Sequence, residues 1–401
     1  MDKLSQELVD IICDYLESTL EGQKTPKLAP YACISRQWKA AVERKTFALM
    51  PILFPEADDF VALVDSGRAR YVREVHFHAN TRFPAPGREG RIGHPDYGYV
   101  GASVIKDVYQ IELLADLATV MKHMSEWEIE YPIVFSISGT CIRFDEDSPP
   151  LEFPIVKNIR TFRCLIRTTD PVDICKLATR MPELRKFSFS IPHHKKRQNS
   201  RLADEIGTWG EKLPQLESLE IMGEHDTFSR QRHLHRMGDM RNEDGVDRLC
   251  QELRLLSQKR GFKRLRTEYV PISRELFEDT QNPTAKMSWP TLEEFTVLFH
   301  EMSSTGEWYL TDEPMGQGPN QDLRFKHDEA AVAPILELFT RAISLESSPS
   351  LKRAGLGFQI ALLEMRTMLA SFGEKEEEPD FLPPDFLPTF VVGYGSLDSF
   401  T

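Results

Sequence analysis

The chain opens with apolar residues laid along a helical repeat. Leu4, Leu8, Ile11, Ile12, Tyr15 and Leu16 sit at i, i+4, i+7, i+8, i+11 and i+12. This spacing places them on one side of a helix expected over residues 5–19. Gly22 and Pro26 break the pattern; Leu28, Pro30 and the stretch 31–43, with Trp38 in its middle, then predict one or two further short helices. A bundle this small cannot hide a full apolar stripe and an indole within itself. Part of its apolar surface is therefore expected to face another chain.

A second pattern, apolar-x-x-apolar-x-apolar, recurs through the rest of the chain. It occupies 72–77, 159–164, 184–189, 216–221, 262–267, 292–297 and 351–356, and Pro182, Pro214, Pro290 and Pro349 stand two residues before the first position of four copies. Each copy predicts a strand whose inward positions are apolar and outward positions charged, with a leading apolar residue that anchors the turn into it. Proline there fixes the entry dihedral without removing a ladder hydrogen bond. The alternating segment 131–137 predicts a further strand, fed by a helix over 110–126. Helical spacing also marks 171–179, 201–212, 244–259 and 328–344; the last carries Val332, Ile335, Leu336, Leu338, Phe339 and Ile343 as a broad stripe. Strands alternating with helices give a parallel sheet with helices on its outer side.

Composition narrows the class. The 401 residues exceed one ordinary core, and 41% hydrophobic with 28% charged residues is the balance of a folded globular chain. A net charge of −13 argues against a general nucleic-acid binder. The basic run 193–197 reads as a solvated loop. Six scattered cysteines, Cys13, Cys33, Cys141, Cys164, Cys175 and Cys250, form no C-x-x-C pair. They read as reduced residues of a reducing compartment. Asp2 and Glu7 stand where a secretory leader would be basic, and no apolar run reaches membrane-spanning length. A cytoplasmic or nuclear protein without membrane attachment is expected.

Catalytic signatures are missing. The sequence holds no phosphate-loop glycine-lysine motif, no nucleophile elbow, no zinc helix and no dinucleotide fingerprint. His225, His233 and His235 with Asp226 and Asp239 have the right donors for a metal, but Arg230, Arg232 and Arg236 crowd them with positive charge. Asp145, Glu146 and Asp147 read as a surface turn. The expectation is no enzyme, no metal and no cofactor. Residues 80–99 and 303–321 read as long loops, the second with Trp308 and Tyr309 as exposed aromatics.

Two resemblances carry the functional expectation. Leu4, Glu7-Leu8, the ladder through Leu16 and Ser35-Arg36-Gln37-Trp38 resemble an F-box, in the variant common in filamentous fungi. That family usually has proline after the leading leucine, where this chain has Ser5, a residue suited to capping the first helix. The resemblance implies docking on the Skp adaptor of a Skp–cullin–F-box ubiquitin ligase. Leu4, Leu8, Ile11, Ile12, Tyr15 and Leu16 would supply the contact, Trp38 would brace the helices, and Leu28 and Ile34 would support them. The strand pattern resembles divergent leucine-rich repeats, although its copies lie about 25 to about 60 residues apart instead of the regular 20 to 29. The expected fold is α/β: a helical F-box module over 1–50, an irregular leucine-rich-repeat-like solenoid of parallel strands with outer helices over 51–372, and an acidic linker and tail over 373–401 that docks on the body. The expected function is substrate recognition for the ligase. The protein substrate, unknown, would be held by outward residues such as Arg185, Lys186, Glu217, Glu220, Glu293 and Glu294, or by the long loops. A repeat scaffold with no ubiquitin role is the alternative.

Overall fold

In the computed structural model the residues described are 4–20, 28–79, 99–139, 153–166, 170–191, 196–223, 238–282, 285–300, 302–307, 309 and 329–357. The chain is α/β and forms two compact units, residues 1–168 with 180–184, and 169–179 with 185–401. The first unit runs α1 (Gln6–Leu20), a 3-10 turn (Ala29–Cys33), α2 (Arg36–Ala48), β1 (Leu49–Leu53), α3 (Ala57–Leu63), α4 (Ser66–Ala69), β2 (Glu74–His78), α5 (Tyr99–Ser125), β3 (Ile133–Gly139) and β4 (Ile159–Ile166). The second runs α6 (Pro171–Ala178), β5 (Lys186–Ile191), α7 (Lys196–Gly207), α8 (Trp209–Lys212), β6 (Ser218–Gly223), α9 (Arg248–Ser257), β7 (Arg264–Val270), a 3-10 turn (Arg274–Leu276), β8 (Glu294–Phe299), α10 (Glu329–Ala342) and β9 (Arg353–Gly357). Strands pair in parallel in chain order, β1-β2-β3-β4 in the first unit and β5-β6-β7-β8-β9 in the second.

All seven copies of the recurring pattern are strands, and the 131–137 segment is β3. One local device starts most of them. The N–H of Leu184, Leu216, Leu292 and Leu351 donates to the carbonyl three residues back, on Met181, Leu213, Trp289 and Ser348, at 3.0, 3.1, 3.4 and 3.2 Å. Pro182, Pro214, Pro290 and Pro349 hold the second position of these turns, where a fixed φ fits and no N–H is needed. Phe262 closes the same turn onto Lys259 at 3.1 Å without proline. There Gly261 takes the third position at φ 88°, which favours glycine. The next residue begins the ladder: Glu217 donates to Arg185, Lys263 to Glu217, Glu293 to Lys263 and Lys352 to Glu293, at 2.7 to 2.8 Å.

Register then stacks like with like. Phe187, Leu219, Leu265 and Phe295 form one row across β5 to β8, and Phe189, Ile221, Thr267 and Val297 the next; all are at most 1% exposed. In the first unit Val75, Phe135 and Phe162 form a row, followed by Phe77, Ile137 and Cys164. Burying each large side chain contributes roughly 1.5–3 kcal/mol. In the second unit α6 packs on β5 and α7, and α7 packs on α9, so the helices follow chain order as the strands do. From α10, Phe339 reaches Phe277 and Phe295 with ring centroids 5.9 and 5.7 Å away.

Several expectations are corrected. The helix expected over 201–212 is two, because the chain turns at Thr208 and Trp209 starts α8 with its indole buried. Leu336 lies on the exposed side of α10, outside the buried Val332, Ile335, Leu338 and Phe339. Tyr309 is 4% exposed instead of presented to solvent, and its hydroxyl donates to the Ile272 carbonyl at 3.1 Å. Strand β1, read as part of no pattern, follows α2 without a linker and sits at the end of its sheet. Phe54 donates to His78 at 3.1 Å, so even-numbered residues of β1 face β2 and Pro51 faces the other way. Lacking an N–H, Pro51 blunts that edge against further strand pairing. Of the loop expected over 80–99, Tyr99 instead begins α5; residues 80–98, Cys141, the 145–147 turn and the tail over 373–401 lie outside the described residues.

Candidate docking surface on the N-terminal helices

Serine starts both long N-terminal helices. The Leu8 N–H donates to Ser5 Oγ at 3.4 Å and the Trp38 N–H to Ser35 Oγ at 3.4 Å, each satisfying one of the unpaired donors of a first turn. Between the helices lies a core of Val9, Cys13, Leu28, Trp38, Ala41 and Val42, with Leu4, Ile12, Leu16, Tyr31 and Ala32 packed around it. Tyr31 stacks on Trp38 with centroids 5.8 Å apart and planes 25° apart.

Polar contacts fix how α1 is rotated on α2. Gln6 Nε2 donates to the Gln37 carbonyl at 3.2 Å and to Asp10 at 2.9 Å, while Arg44 pairs with Asp10 and Lys45 with Asp14. With that edge committed and Val9 and Cys13 turned inward, Leu8, Ile11 and Tyr15 emerge 49%, 61% and 69% exposed. At 100° per residue they fall within about 60° of arc, on the order of 150° from Val9 and Cys13.

This divides the sequence-derived set and corrects its single stripe. Leu28 and Trp38 are buried, Leu4, Ile12 and Leu16 are half-buried, and Leu8, Ile11, Tyr15 and Ile34 are exposed. Val9 was missed as a core residue, although its i, i+4 spacing to Cys13 carried the signal. The helix has apolar residues on two sides, and only its neighbour decides which is core. Exposed leucine, isoleucine and tyrosine in one short arc can give an apolar contact to a partner.

The outward strand residues form a second surface, in the second unit. Glu217 is shared between Arg185 at 3.3 Å and Lys263 at 2.7 Å, and Glu293 pairs with Lys352 at 2.9 Å. The hydrogen bond from Lys352 is the main reason the Glu293 carboxyl lies below the usual carboxylate range. Glu220 accepts from Ser188 at 3.2 Å and lies 3.4 Å from Arg266, while Glu294 lies 3.6 Å from Arg264. Arg185, Lys263, Arg264, Arg266 and Lys352 thus partly neutralise Glu217, Glu220, Glu293 and Glu294 across strands. Lys186, exposed on β5, stands in the row of Ser218.

Among the described residues no three histidine, cysteine or acidic side chains converge as metal ligands. Asp239 is engaged by Arg241, Nε at 3.0 Å from Oδ1 and Nη2 at 2.7 Å from Oδ2, and this contact holds its carboxyl at about 2. His225, Asp226, His233 and His235 lie outside the described residues. Burial pushes the Cys164 thiol up to about 12, as suits a packing residue. No described helix is long and apolar enough to cross a membrane. No protein-family model matches the chain, and no curated protein matches it.

Proposed function

We propose that the protein is the substrate-recognition subunit of a Skp–cullin–F-box ubiquitin ligase. In this reading α1 and α2 form an F-box-like module that docks on a Skp-type adaptor, and the parallel-strand body is a divergent leucine-rich-repeat-like solenoid that holds a protein substrate. The observation that carries it is the exposure of Leu8, Ile11 and Tyr15 on a helix whose other side is already packed. Water gains by losing that stripe to a partner: at roughly 1.5–3 kcal/mol per fully buried side chain, three such residues offset much of the cost of association. Leu28 and Trp38 act from within, by holding α1 at the angle that presents the stripe. The chain itself performs no bond chemistry in this role.

The test is recovery of a Skp-type adaptor on the immobilised full chain, wild type against Leu8→Asp, Ile11→Asp. The expected result is adaptor on the wild type and none on the variant, with unchanged far-ultraviolet circular dichroism. Equal recovery on both, or none on either, overturns the reading.

A further inference from the structure

A cleft of about 870 Å³ opens in the first unit, and neither Leu8, Ile11 nor Tyr15 lines it. One wall is the segment that leads from α5 to β3, and the other is the segment that leads into β4, with Ile155 and Asn158. Along the first wall acidic and apolar residues alternate. Glu126, Glu128 and Glu130 are exposed, while Trp127 is buried and Ile129 and Tyr131 are half-buried. This is the period of a strand, yet Glu128, Ile129 and Glu130 make no backbone hydrogen bond to any described residue.

Two orphaned polar atoms belong to residues lining the same cleft. Trp127 is 8% exposed and its indole N–H has no acceptor; Asn158 is half-buried and its Oδ1 has no donor. Both residues are held on one carbonyl: that of Met124 accepts from the Trp127 backbone N–H at 3.3 Å and from Asn158 Nδ2 at 3.4 Å. Buried polar atoms are normally paired, so an unmet donor and an unmet acceptor on two residues of one cleft lining call for a partner. One residue of an extended peptide offers its N–H and its carbonyl on the same side, the complement of this pair.

Charge selects the side chains. Arg160 is paired with Glu183 at one end of the cleft, so these two offset each other. Lys157 is the remaining cation of the lining, set against Glu128 and Glu130 with Glu126 beside them. Ile129 and the 55%-exposed Ile155 offer apolar contact. We infer that this cleft binds an extended segment of another protein in which lysine or arginine alternates with apolar residues. It adds as a strand along Glu128, Ile129 and Glu130, and the N–H and carbonyl of one of its residues meet Asn158 Oδ1 and the Trp127 indole N–H once these two sealed side chains turn toward the cleft. The inference stands apart from the adaptor reading, since it uses none of the N-terminal helices.

The probe is a fluorescein-labelled peptide, Lys-Val-Lys-Thr-Lys-Val, titrated into the full-length protein. Saturable binding is expected, weakened at least about tenfold by Glu128→Lys with Glu130→Lys and further by salt at about 0.5 M. Both positions are exposed, so the variant keeps the fold. The same peptide with glutamate for lysine is expected not to bind. In a nitrogen-15 correlation spectrum the Trp127 indole N–H, identified by its absence in Trp127→Phe, is expected to shift on saturation. Lack of saturable binding, affinity unchanged by the double reversal, or saturation that leaves the Trp127 signal in place each overturns the inference; in the last case ordered water meets the orphaned atoms.

Discussion

Helix α1 and the strands β5 to β8 are both built on repeated apolar residues, and they end in opposite states. Every inward residue of the two strand rows is at most 1% exposed, whereas three of the apolar residues of α1 are 49% to 69% exposed. A strand has two faces, so alternation alone sends one set inward and the other outward. A helix has a continuous circumference, and α1 carries apolar residues around much of it. Only one arc can meet α2. The strand rows are therefore a statement about stability, and the α1 stripe is apolar surface left in water.

The sharpest way to break that contrast is Phe295→Ala. Phe295 is 1% exposed and lies against Phe277, Trp289 and Phe339, so the change is expected to destabilise the second unit by about 3–5 kcal/mol, read as an earlier denaturation midpoint. A loss under about 1 kcal/mol would show that the row is not the core. Next comes Asp247, 3% exposed, which caps α9 by accepting from the Cys250 N–H at 3.1 Å. Burial raises its carboxyl above the ordinary 3.8. The folded state thus holds this proton more tightly than the unfolded chain. Its contribution is full below the unfolded value and is lost as pH rises through the folded value. Asp247→Asn keeps the capping oxygen without the charge. It is expected to match wild type near about pH 3.5 and to melt roughly 2–4 °C higher at about pH 8; a pH-independent difference would refute the assignment. The smallest effect belongs to the exposed stripe. Leu8→Asp and Ile11→Asp are expected to change stability by about 0.5 kcal/mol per site, in thermal denaturation, because neither side chain is packed. A loss of several kcal/mol would place them in the core with Val9 and Cys13.

Much of the fold was legible because its signals are local. A turn with proline in its second position, an anchoring apolar residue and an alternating run lie within about ten residues, and each of the seven copies became a strand. Strand β1 gave no such signal: it has neither the turn nor a charged outward row. Tyr309 misled because its loop is polar and rich in glycine, while its burial depends on the distant Ile272 carbonyl. For the N-terminal helices, the apolar set could be read but not its division. Leu8 and Val9 are chemically alike, and the Arg44 to Asp10 and Lys45 to Asp14 pairs that choose between them join residues more than thirty positions apart.

The sequence by itself determined the α/β alternation, the strand entries and the supply of apolar residues, since all of these follow from neighbours along the chain. The tertiary structure alone decided which of those residues stay in water, and it alone brought the orphaned Trp127 and Asn158 to one carbonyl. Exposure and unmet hydrogen bonds depend on what the rest of the molecule places opposite a side chain, and no local pattern encodes that.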